Sequence, residues 1–211
     1  MISKIAALLL FLPLAVSAQI AAGGAVAPRP HDSHDNLTIT VDPYIIAERY
    51  KDTFGKSSPY PAGIIAVDVS FENNNDIPIR VTLDSIRLVI SLPGTSRQRL
   101  GALSPEEVAD RAILTTTNEP KVPRPFPFPG TGKNTKKSKE WNEMDTLLSS
   151  VALSTDIVAP HGSMHGFLYF DMDHDFSAIR SAHLYVPDLT FMTNKKALFY
   201  FEIDLATAPR R

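Results

Sequence analysis

The chain has 211 residues, no cysteine and a formal charge of −2 at pH 7. Disulfides, thiol catalysis and cysteine metal sites are therefore excluded, and burial alone must hold the fold. The near-balanced charge, without any basic stripe, argues against nucleic acid as a partner.

Residues 1–18 read as a signal peptide. Lys4 supplies the positive start, Ile5 to Val16 an apolar run, and Val16-Ser17-Ala18 small side chains for cleavage near Ala18. The run is short of the roughly 20 apolar residues that span a bilayer. No later stretch is apolar enough for a membrane span, so the mature chain is expected to be secreted or periplasmic. Residues 19–36, rich in glycine, proline and small side chains, read as a flexible N-terminal arm.

A single β-sandwich domain is expected over 37–206, with a helical and proline-rich insertion at 96–150. Its first strand is Leu37 to Val41. Ile65, Val67, Val69 and Phe71 then alternate with Asp68 and Ser70, the period of a half-buried strand. The "ENNNDIP" stretch at 72–78 is a turn, because Asn and Asp tolerate left-handed backbone and bond their own main chain. Ile77, Ile79, Val81 and Leu83 carry the next strand. Beyond Asp84 the pattern slips to Ile86, Leu88, Ile90 and Leu92, which predicts a bulge or bend near Asp84 and Ser85.

Ser104, Pro105 and Glu107 form a capping box with proline at the first helical position, opening a helix to about Leu114. The proline-dense stretch at 119–130 follows. A second helix carries Trp141, Met144, Leu148 and Val151 at helical spacing. Strands resume at 163–172, at about 182–191 and from Leu198 to Leu205, where Phe199, Phe201, Ile203 and Leu205 share one face. Strong period two, with both helices in one insertion, gives a mainly β fold: an antiparallel, immunoglobulin-like β-sandwich with a two-helix insertion.

The stretch "IIAVDVSFENNNDIPIRVTLDSIRLVISL", followed later by "VAPHGSMHGFLYFDM", resembles the immunoglobulin-like sandwich of the LEA14/WHy type. It is also similar to uncharacterised exported bacterial proteins. The matching positions are Asn73, Asn74, Asp76 and Pro78, then Pro160 and Gly162, within 37–92 and 151–205. The resemblance implies a non-catalytic interaction or protective module, and carries over no active-site residue.

Enzyme motifs fail one by one. "FGKSS" at 54–58 has Gly-Lys-Ser, but Tyr50 stands where a phosphate-binding loop needs glycine; "GTGKNT" has Pro127 there and Asn134 in place of Ser/Thr. Ser163 lacks the flanking glycines of a nucleophile elbow, since His161 and His165 occupy those positions. His161 and His165 have zinc-ligand spacing only on a helix, and the glycines between and after them argue for a strand. "DMDHD" at 171–175 opens like a calcium loop, but Phe176 and Ala182 replace the glycine and the bidentate glutamate. No catalytic residue and no cofactor are assigned.

Metal candidates remain as the alternative to a binding module. His31, Asp32, His34 and Asp35 offer imidazole and carboxylate in the arm. If residues 163–172 and 182–191 pair as a hairpin with numbers summing to about 354, His183 lies opposite Asp171. His165 then lies roughly 20 Å from Asp171 along the strand. Asp171, Asp173, His174 and His183 are thereby grouped at one end. On that strand Met164, Leu168, Phe170 and Met172 share the core face, and His165, Phe167, Tyr169 and Asp171 the other. A protein or cell-envelope partner is expected at the 120–137 loop, which presents Phe126, Phe128 and neighbouring lysines.

Overall fold

The computed structural model describes residues 29–92, 94, 96–116 and 137–208. Residues 1–18, expected to be a signal peptide, residues 19–28 of the expected arm, the "GTGKNT" motif and residues 120–136 of the proline-rich stretch lie outside the described residues. The chain is mainly β. Strands β1 (His31–His34), β2 (Leu37–Pro43), β3 (Ile64–Asn73), β4 (Ile79–Val81), β5 (Arg87–Ile90) and β6 (Gln98–Gly101) come first. After them run β7 (Ile157–Val158), β8 (Gly162–Asp171), β9 (Ala182–Val186), β10 (Leu189–Phe191) and β11 (Phe201–Asp204). Helix α1 (Ala47–Phe54) lies between β2 and β3, while α2 (Pro105–Thr116) and α3 (Lys139–Val151) follow β6.

The strands form three sheets, ordered β1-β2-β3-β8, β10-β4-β7 and β11-β9-β5-β6. Every strand pairing within them is antiparallel. The first sheet faces the other two across the main core. Ile65, Val67, Val69 and Phe71 meet Ile79, Val81, Leu88, Leu184, Phe201 and Ile203 there, all essentially buried. Met164, Leu168, Phe170 and Met172 join them from β8, as their alternation requires.

A second core covers the opposite face of the first sheet. Ile64 and Ala66 of β3 and Phe167 and Tyr169 of β8 are buried under Tyr50 and Phe54 of α1, Val108 of α2, and Trp141, Met144 and Leu148 of α3. That face is therefore not solvated at this end, and the run "IIAV" is apolar throughout because both of its sides are covered. The capping box closes α2 in both directions: Glu107 N–H donates to Ser104 Oγ at 3.2 Å and Ser104 N–H to Glu107 Oε2 at 2.8 Å. Trp141 Nε1 donates to Asp110 Oδ1 at 2.7 Å and so ties α3 to α2.

Three expectations are corrected, and the bend expected near Asp84 and Ser85 is present. Residues 31–36 are not a flexible arm: β1 pairs with β2 from His31↔Thr40 to His34↔Leu37. Asp35 and Asn36 both have positive φ (49° and 55°), the pair that a two-residue primed hairpin turn demands. The slip at Asp84 and Ser85 is a short 3-10 turn, Leu83–Ser85, where the chain leaves one sheet (β4) for another (β5). Residues 182–191 are two strands in different sheets, broken at Pro187, which has no N–H for a ladder. Phe199 does not share the inward face of Phe201 and is 78% exposed, because Leu198 is held against β10 by its N–H to Leu189 O and β11 starts only at Phe201.

Two buried polar side chains fix the chain geometry. Asn73, wholly buried, donates through Nδ2 to Ile77 O (2.9 Å) and Ala159 O (3.1 Å), and its Oδ1 accepts Asn75 N–H (3.0 Å). It thus closes the Asn-rich turn against the entry to β8. Asp42 takes a bidentate pair from Arg49 at 2.8 and 2.9 Å, with Arg29 at 3.2 Å. Burial pushes the neighbouring Asp68 carboxyl above its usual range, and Arg29 acts against that shift.

Candidate functional site

The metal candidates are dispersed by the topology. β8 pairs with β3, not with β9, so Asp171 lies opposite Ile64. His183 lies between Val89 of β5 and Asp204 of β11, and its Nε2 sits 2.8 Å from Glu202 Oε1. The hairpin that would have joined His183 to Asp171 does not form, because the 3-10 turn Phe176–Ser181 carries the chain across to the other layer. Asp171 is paired with Arg111 of α2 and accepts Asp173 N–H at 3.0 Å. Asp171 and Asp173 border a cleft of about 670 Å³ between β6 and the end of β8, with Arg99 and Arg111 on the same rim. His174 instead packs on Gly63, where an added Cβ would come within 2.5 Å of its Nδ1.

Three of the four remaining histidines are similarly engaged. His34 stacks on Phe201 with ring centroids 3.7 Å apart, and its Nδ1 lies 3.1 Å from Asp35 Oδ2. His31 Nδ1 lies 3.1 Å from Arg29 O. His161 pairs with Asp76 at 2.7 Å, and four residues of extended chain separate it from His165 by roughly 13 Å. Among the described residues, no group of three or more His, Asp or Glu is placed to hold a metal ion. Gly55 and Lys56 of "FGKSS" close the C-terminal end of α1, with Gly55 at φ 53°. An anion is attracted to the opposite end of a helix.

What the fold does assemble is the outer face of the β11-β9-β5-β6 sheet. Alternation turns Leu88, Leu184 and Ile203 into the core and their neighbours outward. One outward row runs Glu202, Tyr185, Arg87, Gly101; the next runs Asp204, His183, Val89, Arg99. Tyr200 precedes β11 and brings its ring to 5.4 Å from that of Tyr185. A groove of about 520 Å³ on this face is bordered by Arg97, Arg180, His183 and Glu202. A smaller one of about 260 Å³ adjoins it at Val89, Arg99, Tyr185 and Tyr200. The helices lie on the far side of the molecule, against the first sheet.

Charge is sorted on this face. Arg29 and Arg49 are paired with Asp42, Arg80 with Asp156 and Arg111 with Asp171. Arg87, Arg97, Arg99 and Arg180, the other arginines among the described residues, have no carboxylate partner there, and all four border this face. Arg87 donates only to main-chain oxygens, Asp84 O and Ile86 O, and only through Nη1. Glu202 is held by His183, and Asp204 accepts Ala206 N–H at 2.9 Å. Ser91 Oγ, buried and without a hydrogen-bond partner, borders the larger groove. The sequence signal for this site is the spacing of Arg97 and Arg99, two residues apart on the approach to a strand.

The 120–137 loop, expected to hold a partner surface, falls outside the described residues except for Lys137. The ammonium of Lys137 lies 3.4 Å from the centroid of the Trp141 ring and 2.5 Å from Glu106 Oε1, bracing α3 against α2. No protein-family model matches this chain, and no curated protein matches it. Among solved structures it is similar to a functionally unknown protein from Listeria monocytogenes EGD-e. The two are 14% identical over 74% of this chain and 70% of that one, with a TM-score of 0.34.

Proposed function

We propose that the protein is an exported, non-catalytic binding module that offers the outer face of the β11-β9-β5-β6 sheet to its partner. The observation that carries this reading is the segregation of charge: every described arginine lacking a carboxylate partner borders one face, beside Tyr185 and Tyr200. An unpaired guanidinium keeps its rigid donor fork available, and arginine and tyrosine are the side chains that dominate binding hot spots. The signal-peptide pattern supports export. The LEA14/WHy-type resemblance supports interaction rather than catalysis. Arg97 and Arg99 fall within the 96–150 stretch, but β6 (Gln98–Gly101) pairs with β5, so this part of the stretch is a strand of the sandwich and not an insertion.

The test compares capture from the native cell-envelope fraction by the wild type, by the double variant Arg97→Glu/Arg99→Glu, and by Lys195→Glu on a different surface. Loss of captured material in the double variant alone is expected. Equal capture by all three proteins would show that another surface binds.

A further inference from the structure

Building on the reading of this face as the binding surface, we infer that its partner is an extended acidic peptide segment with carboxylates at alternate positions. The argument is one of spacing. Arg97 and Arg99 are two residues apart, and the next same-face position along that line is Gly101. Gly101 has no side chain, and a Cβ built on it meets nothing within 4 Å. Its cross-strand partner is Arg87, so the third cation of the series stands one strand inward at the level of Gly101. Three arginine side chains thus leave the main chain at three successive same-face levels, roughly 6.6 Å apart at ~3.3 Å per residue. An extended peptide repeats its own same-face side chains at that interval. Asp or Glu at positions i, i+2 and i+4 therefore meets Arg97, Arg99 and Arg87 in turn, each through a charge-assisted hydrogen bond.

The rest of the face sets the register. Glu202 and Asp204 stand on β11, with β9 and β5 between it and β6, and repel carboxylates from that side. Arg87 stands on β5 and Arg99 on β6, so the peptide is confined to that half of the face. Tyr185 neighbours Arg87 in its row and closes the inner margin of the path. Arg180 adds charge at the groove end next to Arg97. Four arginines against two carboxylates leave the face positive on a chain that is negative as a whole, so an acidic segment is also steered towards it at low salt.

The experiment measures fluorescence anisotropy of labelled peptides with the full chain at 50 mM and 200 mM salt. The probes are an alternating Thr-Glu peptide, a peptide of the same composition with the glutamates in one block, and an alternating Thr-Lys peptide. The alternating acidic peptide should bind at least tenfold more tightly than either of the others, and more weakly at the higher salt. Arg97→Gln/Arg99→Gln should weaken it at least tenfold. Gly101→Leu, which fills the open space before Arg87 without replacing an arginine, should weaken it severalfold; circular dichroism checks that each variant is folded. Equal binding of alternating and blocked peptides would overturn the inference by showing a surface for polyanions in general. Absence of peptide binding would also overturn it. In either case, envelope capture that still depends on Arg97 and Arg99 leaves the binding face standing, and capture that is indifferent to them removes both.

Discussion

Replacing Gly166 with alanine should destabilise the protein through main-chain contact rather than through its side-chain environment. A Cβ at Gly166 would lie 2.6 Å from Leu153 N, 2.7 Å from Leu153 Cα and 2.8 Å from Ala152 C. Ordinary contact begins at 3.4 Å, so the 152–153 main chain must retreat by about 0.8 Å. That segment is held to β8 by Leu153 N–H donating to Phe167 O at 3.0 Å, beside the bridge between Ala152 and Phe167. A retreat of this size stretches the bond to about 3.8 Å, beyond hydrogen-bonding range. The lost bond costs ~1 kcal/mol. Drawing Leu153, which is 6% exposed, away from the core costs a further ~1–2 kcal/mol. The expected loss is about 2–3 kcal/mol, a fall in melting temperature of about 4–12 °C for a domain of this size. Gly101→Ala is the control, since its Cβ meets nothing, and it should stay within ~0.5 kcal/mol of wild type. Urea unfolding followed by circular dichroism reads both variants. A Gly166→Ala protein as stable as the control would refute the reasoning.

Two further perturbations test the second core and the α2 cap. Tyr50 O–H donates to Tyr44 O at 2.7 Å and accepts Ala66 N–H at 3.0 Å, so Tyr50→Phe keeps the ring but strands a buried N–H, costing ~1–3 kcal/mol in urea unfolding. Burial pushes the Tyr50 phenol above its ordinary value of 10.0. The unfolded chain therefore ionises first. The stability this group contributes is full below pH 10 and lost as pH rises above it, and alkaline unfolding should be less steep in Tyr50→Phe. Ser104→Ala should cost ~1 kcal/mol by removing the α2 cap. The main-chain N–H and hydroxyl of Ser104 hold the Glu107 carboxyl below its ordinary 4.5. That contribution is present above pH 4.5 and lost as pH falls through the lowered value, and Ser104→Ala removes only the hydroxyl's share of it, so the gap between wild type and variant should narrow in acid; a constant gap would show that the hydroxyl does not act through the Glu107 carboxylate.

Much of the fold was legible in short stretches. The alternation at Ile65 to Phe71 placed one face of β3 in the core, because successive side chains of a strand must point oppositely. Ser104 and Glu107 marked the start of α2 through local hydrogen bonds that need no tertiary partner. The spacing of Trp141, Met144 and Leu148 located the buried face of α3. The β1–β2 hairpin lies next to a stretch whose glycine, proline and small side chains carry no strand pattern, and only Asp35 and Asn36, which tolerate positive φ, mark its turn.

The candidate site was far less legible. Asp171, Asp173, His174 and His183 look clustered in a line of text, and separate once β8 pairs with β3 and β9 with β5 and β11. By contrast, Arg87, Arg99 and Tyr185 come from three strands and meet only across a register that no single segment specifies. By itself the sequence determined which residues alternate, where helices begin and which enzyme motifs are broken, because those properties reside in covalent neighbours. Which strands are neighbours, which arginines keep a carboxylate and which are left without one were decided by the tertiary structure alone. Pairing between distant strands depends on how two apolar faces close over a shared core, and the outward-facing charges follow wherever that closure puts them.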